Sequence, residues 1–251
     1  MSLMDEFFAK RKQMMRGVVA RVAWDDVQPK LVAEVELVVQ GSCIEGAKVL
    51  KPPGPKNLVR GQEKVDKLKG EMQGEWLGIT DMARCTVAVP HDFQIEQMLK
   101  LLKPHFSQAR NGFQYYQTKE ARPELMAGYS GWTLNAIRSG VYCEIQVNTK
   151  AMLYAKSLPE FRSEFGDEEG SWKALYPLVP GGLGHVLYDV ARSDNEPPER
   201  RAEFKKASQA YYDYFRSKPA DPALGRAASI AIRKVHVGPW SVGRGSYRSG
   251  G

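Results

Sequence analysis

The 251-residue chain is poor in cysteine and histidine, with three and four residues. Cys43, Cys85 and Cys143 are far apart, odd in number and without C-x-x-C spacing. That pattern argues against a disulfide framework or a cysteine zinc site and fits reduced thiols in a cytosolic setting. Cys85 and Cys143 lie in apolar, strand-like runs and read as small core residues. No uninterrupted apolar run reaches the roughly 18 residues of a bilayer-spanning helix, so no membrane span is expected. The start, Met1-Ser2-Leu3-Met4-Asp5-Glu6, lacks the basic-then-apolar order of a secretory signal. Gly181-Gly182-Leu183-Gly184 has no Gly-Lys-Ser/Thr after it and does not join a strand to a helix, so it reads as a plain turn. There is no G-x-S-x-G elbow. His91-Asp92 reads as a helix start, because no other histidine has metal-ligand spacing with it.

What is present is ordinary globular composition, 43% apolar and 26% charged. The length fits one large domain or two small ones. Lys and Arg outnumber Asp and Glu by 36 − 29 = 7, which favours an anionic partner: nucleotide phosphates, nucleic acid or an acidic membrane. From Pro222 onward Arg226, Arg233, Lys234, Arg244 and Arg248 face no acid at all.

Periodicity places the elements. Residues 3–40 read as helix, with Phe7, Phe8, Met14, Met15, Val18, Val19 and Val22 on the apolar stripe and an interruption at Asp25-Asp26. A short strand around Val49 runs into Pro52-Pro53-Gly54-Pro55, where no ladder can continue. A helix starts near Asn57, with Arg60 and Lys64 on one face. Residues 79–89 read as a buried strand, followed by a helix that stops at Pro104 and a short strand over 113–118. A short helix covers 149–157, an acid- and glycine-rich loop covers 166–184, and helices cover 199–216 and 222–234. The mixture lacks strict βαβ alternation. It predicts an α+β fold with a mixed, mostly antiparallel central sheet flanked by helices.

The stretch 132–148 says most. Two alternating runs flank Ser139-Gly140, a two-residue hairpin turn. In a tight register Asn135 opposes Glu144 and Thr133 opposes Gln146, and opposed residues share a face. Trp132, Leu134, Ala136, Cys143, Ile145 and Val147 then form an apolar face. Thr133, Asn135, Glu144, Gln146 and Asn148 form a polar face nearly free of Lys and Arg. By pattern alone the polar face is either solvated or the floor of a cleft. Asp81 opens an otherwise apolar strand, where a carboxylate is costly unless paired or metal-bound. Two carboxylates, Asp81 and Glu144, with a cation-rich segment of Lys48, Lys51, Lys56, Arg60 and Lys64, are the parts a Mg²⁺-dependent phosphoryl-transfer site needs. The competing reading makes Asp81 a turn cap and Glu144 a solvated strand residue.

Three runs carry a resemblance: Gly128-Tyr129-Ser130-Gly131-Trp132-Thr133-Leu134, Gly140 to Thr149 with Glu144-Ile145-Gln146-Val147-Asn148-Thr149, and Met152 to Lys156. Together with Asp81-x-x-Arg84-x-Thr86, the Arg60-x-x-x-Lys64 pair and Gly182-Leu183-Gly184-His185-x-x-Tyr188, they resemble the RelA/SpoT nucleotide pyrophosphokinase domain, in its small, toxin-like branch. The resemblance covers about residues 45–192. It implies a nucleotidyltransferase-like fold and transfer of the β,γ-pyrophosphoryl group of ATP to an acceptor's 3′-hydroxyl. AMP would be released and ppGpp- or ppApp-type products made.

By the resemblance, Asp81 and Glu144 hold Mg²⁺ and, with Arg84, form the catalytic set. Lys48, Lys51, Arg60 and Lys64 bind ATP. Tyr129, Asn135, Gln146, Asn148 and His185 bind the acceptor. This face becomes a cleft floor. Longer family members read Asp-x-x-Gly-x-Arg and Gly-Tyr-x-Ser-x-His where this chain has Arg84, Thr86, Gly131 and Thr133, so guanosine nucleotides, adenosine nucleotides and the tRNA 3′-end all stay open as acceptors.

The implied organisation is an N-terminal helical segment over 1–45, the synthetase domain with its C-terminal helices over 46–235, and a flexible basic tail over 236–251. A synthetase with no off-switch suits a growth inhibitor acting in the cytoplasm of a target cell, with an antitoxin or immunity protein as partner. Two other readings stand beside it. One is a nucleic-acid-binding module using the basic tail and the Tyr211-Tyr212-Tyr214-Phe215 cluster, although those aromatics fall at helical spacing and read more simply as packing on the sheet. The other is an inactive pseudo-enzyme.

Overall fold

In a computed structural model, residues 16–52, 54–55, 58–67, 76–108, 112–217 and 220–235 are described. Phe7, Phe8, Met14, Met15, Lys56, Asn57 and the tail over 236–251 lie outside them. The chain divides into two compact units, Met1–Glu120 with Gly131–Lys150, and Ala121–Ser130 with Ala151–Gly251.

The described part of the first unit opens in helix at Arg16. Asp25-Asp26 does not interrupt it, contrary to the pattern reading. Val22–Val27 forms a π-helical turn that leads straight into helix α1, Gln28–Gly41. The reason lies in the apolar spacing. Val19, Ala23, Val27, Leu31 and Val35 are all buried at strict four-residue steps. An α-helix of 3.6 residues per turn lets such a stripe drift around its axis, and one wider turn takes up part of the drift. Asp26 stays outside and pairs with Lys30.

Five strands follow: β1 (Lys48–Leu50), β2 (Ala83–Val89), β3 (Gln114–Ala121), β4 (Gly131–Arg138) and β5 (Val141–Thr149). Their order is β1-β2-β5-β4-β3. The β1/β2 and β4/β5 ladders are antiparallel, and β2/β5 is parallel. This is the mixed α+β architecture the pattern predicts. Helix α2 (Leu58–Val65) lies between β1 and β2 in the chain, and α3 (Phe93–Ser107) follows β2.

The hairpin has the expected register, Asn135 opposite Glu144 and Thr133 opposite Gln146. Ser139 and Gly140 both have positive φ, 50° and 74°, as a type I′ turn requires. Glycine accepts that backbone freely and serine does not. Ser139→Asn is therefore expected to stabilise the unit by about 0.5–1 kcal/mol, because Asn tolerates the left-handed region better. Urea unfolding would measure it.

Alternation then sorts the sheet. Cys85, Val87, Leu134, Ala136, Cys143, Ile145 and Val147 are buried on one face, and Trp132 packs against them. Helix α1 packs on β2, and α3 on β4 and β5. Helix α3 does not stop at Pro104 but runs three residues beyond it. Proline removes one ladder donor there. The last turn is anchored instead by Phe106, 1% exposed and edge-on to Phe113 at 5.6 Å.

Burial pushes the Cys143 thiol up to about 12 and the Cys85 thiol higher still. Both are buried and Cys43 is exposed. Since the thiolate is the reactive species, only Cys43 is expected to react with a thiol reagent before unfolding. Counting labelled thiols by mass in native and denatured protein checks this.

The second unit is helical: α4 (Lys150–Lys156), α5 (Leu158–Phe165), α6 (Glu169–Leu175), α7 (Gly184–Ala191), α8 (Pro198–Arg216) and α9 (Pro222–Lys234). The stretch 166–184 is therefore only in part the loop its acids and glycines predict: 166–175 is helical, and turns cover 176–183. Glu169 ion-pairs with Arg162 of α5, and Trp172 packs against Tyr154 of α4 at 6.0 Å and Phe161 of α5 at 5.9 Å, so tertiary partners make α6 a helix.

Tyr211, Tyr212, Tyr214 and Phe215 are at most 1% exposed. They form no exposed stacking surface. Phe215 sits 4.7 Å from Tyr176, 4.9 Å from Tyr211 and 5.8 Å from Tyr154, inside this helical unit. The glycine run is a packing device. A Cβ at Gly181 would lie 2.7 Å from Tyr154, and one at Gly184 would lie 2.1 Å from the Tyr212 hydroxyl.

Candidate active site

The polar face is assembled in the first unit by three neighbouring strands. Because β2 and β5 run parallel in register, Arg84 stands beside Glu144 and Thr86 beside Gln146. Because β4 and β5 are antiparallel, Asn135 and Thr133 stand on the other side of the same two residues. Lys48 of β1 pairs with Ala88 and extends that face across the fourth strand. Glu144 accepts a hydrogen bond from Gln146 Nε2 at 2.7 Å. Arg84, Glu144 and Gln146 are half-buried.

Asp81 lies three residues before Arg84, a chain span of at most about 10 Å. Its residue is 5% exposed, and Oδ2 accepts from Lys64 Nζ of α2 at 2.7 Å. Lys64 keeps half its side chain in solvent, so this acid is buried and its cation is not. Asp81 and Glu144 thus stand on, or just ahead of, adjacent strands. Two oxygen-donor acids suit a hard divalent ion that takes one or two carboxylates and otherwise substrate oxygens. Among the described residues no group of three or more His, Cys, Asp or Glu could hold a metal.

The other cations divide. Lys48 shares the polar face. Lys51, just past β1, is ion-paired at 3.0 Å with Glu36 of α1, the helix on the opposite side of the sheet. Arg60 lies one helical turn before Lys64 in α2, and its side chain is outside the described set.

Of the acceptor candidates, Asn135 is 2% exposed and bonded within the sheet, donating to the Cys143 carbonyl at 3.2 Å and accepting from Gln117 at 3.3 Å. Asn148 is 1% exposed and accepts from the Thr149 N–H at 3.0 Å. Both brace strands. Tyr129 and His185 belong to the second unit, Tyr129 half-buried and His185 exposed in the first turn of α7.

One contributor escapes sequence reading. Gln28, 6% exposed at the start of α1, donates to the Arg84 carbonyl and accepts from the Arg84 N–H, both at 2.7 Å. The three-residue β1 pairs only with residues 86–88, so Arg84 lies beyond its reach. The Gln28 side-chain amide takes the place of the missing strand residue. A glutamine among buried valines and leucines was the only signal.

No family model matches the chain. It is 31% identical over 194 residues to the (p)ppApp synthetase toxin Tas1 of Pseudomonas aeruginosa (strain UCBPP-PA14), covering 75% of this chain. The chain spans about 40% of that relative's length. A crystal structure of the Type VI effector Tas1 with its immunity protein superposes with a TM-score of 0.58 and 29% identity, over 80% of this chain and 95% of that one. The small alarmone synthetase 1 of Bacillus subtilis aligns over 90% of this chain and 93% of its own at 18% identity and a TM-score of 0.44. The Asp81, Gly128-Tyr129 and Glu144-to-Thr149 motifs, the five-stranded sheet and the homology to Tas1 agree, and they support a pyrophosphokinase domain of the toxin type.

Proposed function

We propose that the chain moves the β,γ-pyrophosphoryl group of ATP to the 3′-hydroxyl of an adenosine nucleotide and releases AMP. The observation that carries this is the ladder register. It sets Glu144 between Arg84 and Asn135 on the polar face of a sheet whose other face is core. The adenosine acceptor follows the activity of the homologous (p)ppApp synthetase toxin.

In the reaction the 3′-oxygen forms a bond to the β-phosphorus while the bond to the α,β-bridging oxygen breaks, and AMP leaves with that oxygen. Glu144 accepts the hydroxyl proton, which requires reach more than an unusual pKa. Gln146, already bonded to Glu144, orients its carboxylate toward the incoming hydroxyl. Lys64 and Lys48, with Arg84, offset phosphate charge. Asp81 and Glu144 would hold Mg²⁺, which when bound supplies charge neutralisation of the polyphosphate. Tyr129 is assigned to the acceptor base. The same likeness supports an immunity protein as partner and the cytoplasm of a target cell as site of action. Among the described residues no helix is long and apolar enough to cross a membrane.

The test is incubation with labelled ATP and Mg²⁺, adding AMP, ADP, GDP, GTP or tRNA one at a time. AMP release with a 3′-pyrophosphorylated adenosine nucleotide is the expected result. Labelling of tRNA or guanosine nucleotides alone would reassign the acceptor, and no AMP with any acceptor would refute the activity.

A further inference from the structure

We infer that helix α8 is the scaffold of the acceptor-base site, with Arg216, oriented by Asp213, as the positioning residue for Tyr129. This rests on the assignment of Tyr129 to the acceptor base.

The loop before Tyr129 has an uncommon backbone. Ala127 and Gly128 are successive left-handed residues, with φ of 48° and 91°. A left-handed Ala is unfavourable, so surrounding contacts must hold it. Two local bonds close the turn: Gly128 N–H donates to the Pro123 carbonyl at 2.7 Å, and Tyr129 N–H donates to the Met126 carbonyl at 3.0 Å.

Further hold comes from α8, more than 70 residues on. A Cβ at Gly128 would lie 2.7 Å from Gln209 Cα and 3.0 Å from the Ser208 carbonyl oxygen, so the loop rests directly on the helix backbone. One turn further, Tyr212 meets the Tyr129 ring edge-on at 5.6 Å. At the last turn Arg216 Nη1 donates to the Gly128 carbonyl, while Nη2 donates to Asp213. Gln209 Nε2 donates to the same Asp213 oxygen at 3.0 Å. The series Gln209–Asp213–Arg216–Gly128 thus ends on the peptide that joins Gly128 to Tyr129.

Holding that carbonyl sets the plane of the peptide and with it the direction in which the Tyr129 side chain leaves the backbone. A guanidinium is suited to this. Its planar fork grips Asp213 with one nitrogen and the carbonyl with the other. Lys156 Nζ, 6.0 Å from the Tyr129 ring centroid, flanks the same ring from α4. If the 128–129 peptide turns, the ring loses its alignment with the acceptor base, and only acceptor binding suffers.

The experiment uses the full chain with Arg216→Ala, Arg216→Lys, Asp213→Asn and Tyr129→Ala, and follows AMP release while ADP and ATP are varied in turn. Arg216→Ala is expected to raise the KM for ADP by about 10-fold or more, leaving the KM for ATP within about two-fold. Arg216→Lys, which keeps a charged donor, should recover much of the loss. Asp213→Asn should show the same selective rise, smaller in size. If Tyr129→Ala raises the KM for ADP and Arg216→Ala does not, the scaffold proposal is wrong and the Tyr129 assignment stands. If Tyr129→Ala leaves the KM for ADP unchanged, the assignment itself fails and the proposal with it. Should Arg216→Ala not fold, Asp213→Asn decides: an unchanged KM for ADP refutes the scaffold.

Discussion

Glu144→Ala is expected to slow AMP release by at least about 10³-fold, the loss of a proton acceptor in reach of the hydroxyl, without unfolding the protein. The side chain is half-buried on the polar face, and its hydrogen bond is to Gln146 on the same strand. Removing it takes away one half-buried hydrogen bond, so the structural cost is small. Asp81→Ala should have a comparable catalytic effect. It removes a buried charge, and the half-exposed Lys64 can turn to solvent. Circular dichroism and melting would show both variants folded, and labelled-ATP turnover would read the activity. Wild-type turnover in both folded variants would leave the sheet's polar face without its assigned chemistry. Selective loss in only one would separate the proton-accepting role of Glu144 from the shared acidic role.

Phe215→Ala should be the most damaging single change to the second unit, at about 3–5 kcal/mol. The ring is fully buried and in contact with Tyr154, Tyr176, Tyr211 and Tyr214. Tyr176 also donates to the Phe215 carbonyl at 3.1 Å, so the surrounding side chains cannot simply collapse into the void. Denaturant unfolding measures the loss. The outcome also tests the alternative of a stacking surface for RNA. A surface aromatic can be removed at little cost to stability, whereas this one cannot.

The hairpin shows how much local pattern can carry. Its turn, register and two faces follow from a two-residue turn flanked by period-two alternation, because both are short-range properties. The same logic fails over 166–175, where acids and glycines suggested a loop. There α6 exists because Trp172 packs on Tyr154 and Phe161, and Glu169 pairs with Arg162, all in other helices. It fails again at Pro104, where a buried phenylalanine outweighs a lost hydrogen bond. Tyr211 to Phe215 had the right spacing for burial, but spacing does not say against what.

By itself the chain's order of residues determined the alternating faces, the carboxylates worth watching and the motifs of the family. Only the folded molecule decided that β2 lies parallel to β5, which sets Arg84 beside Glu144 across more than 50 residues of sequence. It also decided that Gln28 completes the edge of β2 and that α8 supports the Gly128 turn. Side-chain periodicity encodes which way a residue faces. It does not encode which distant strand or helix arrives to meet it, since that choice is made by the packing of the whole core.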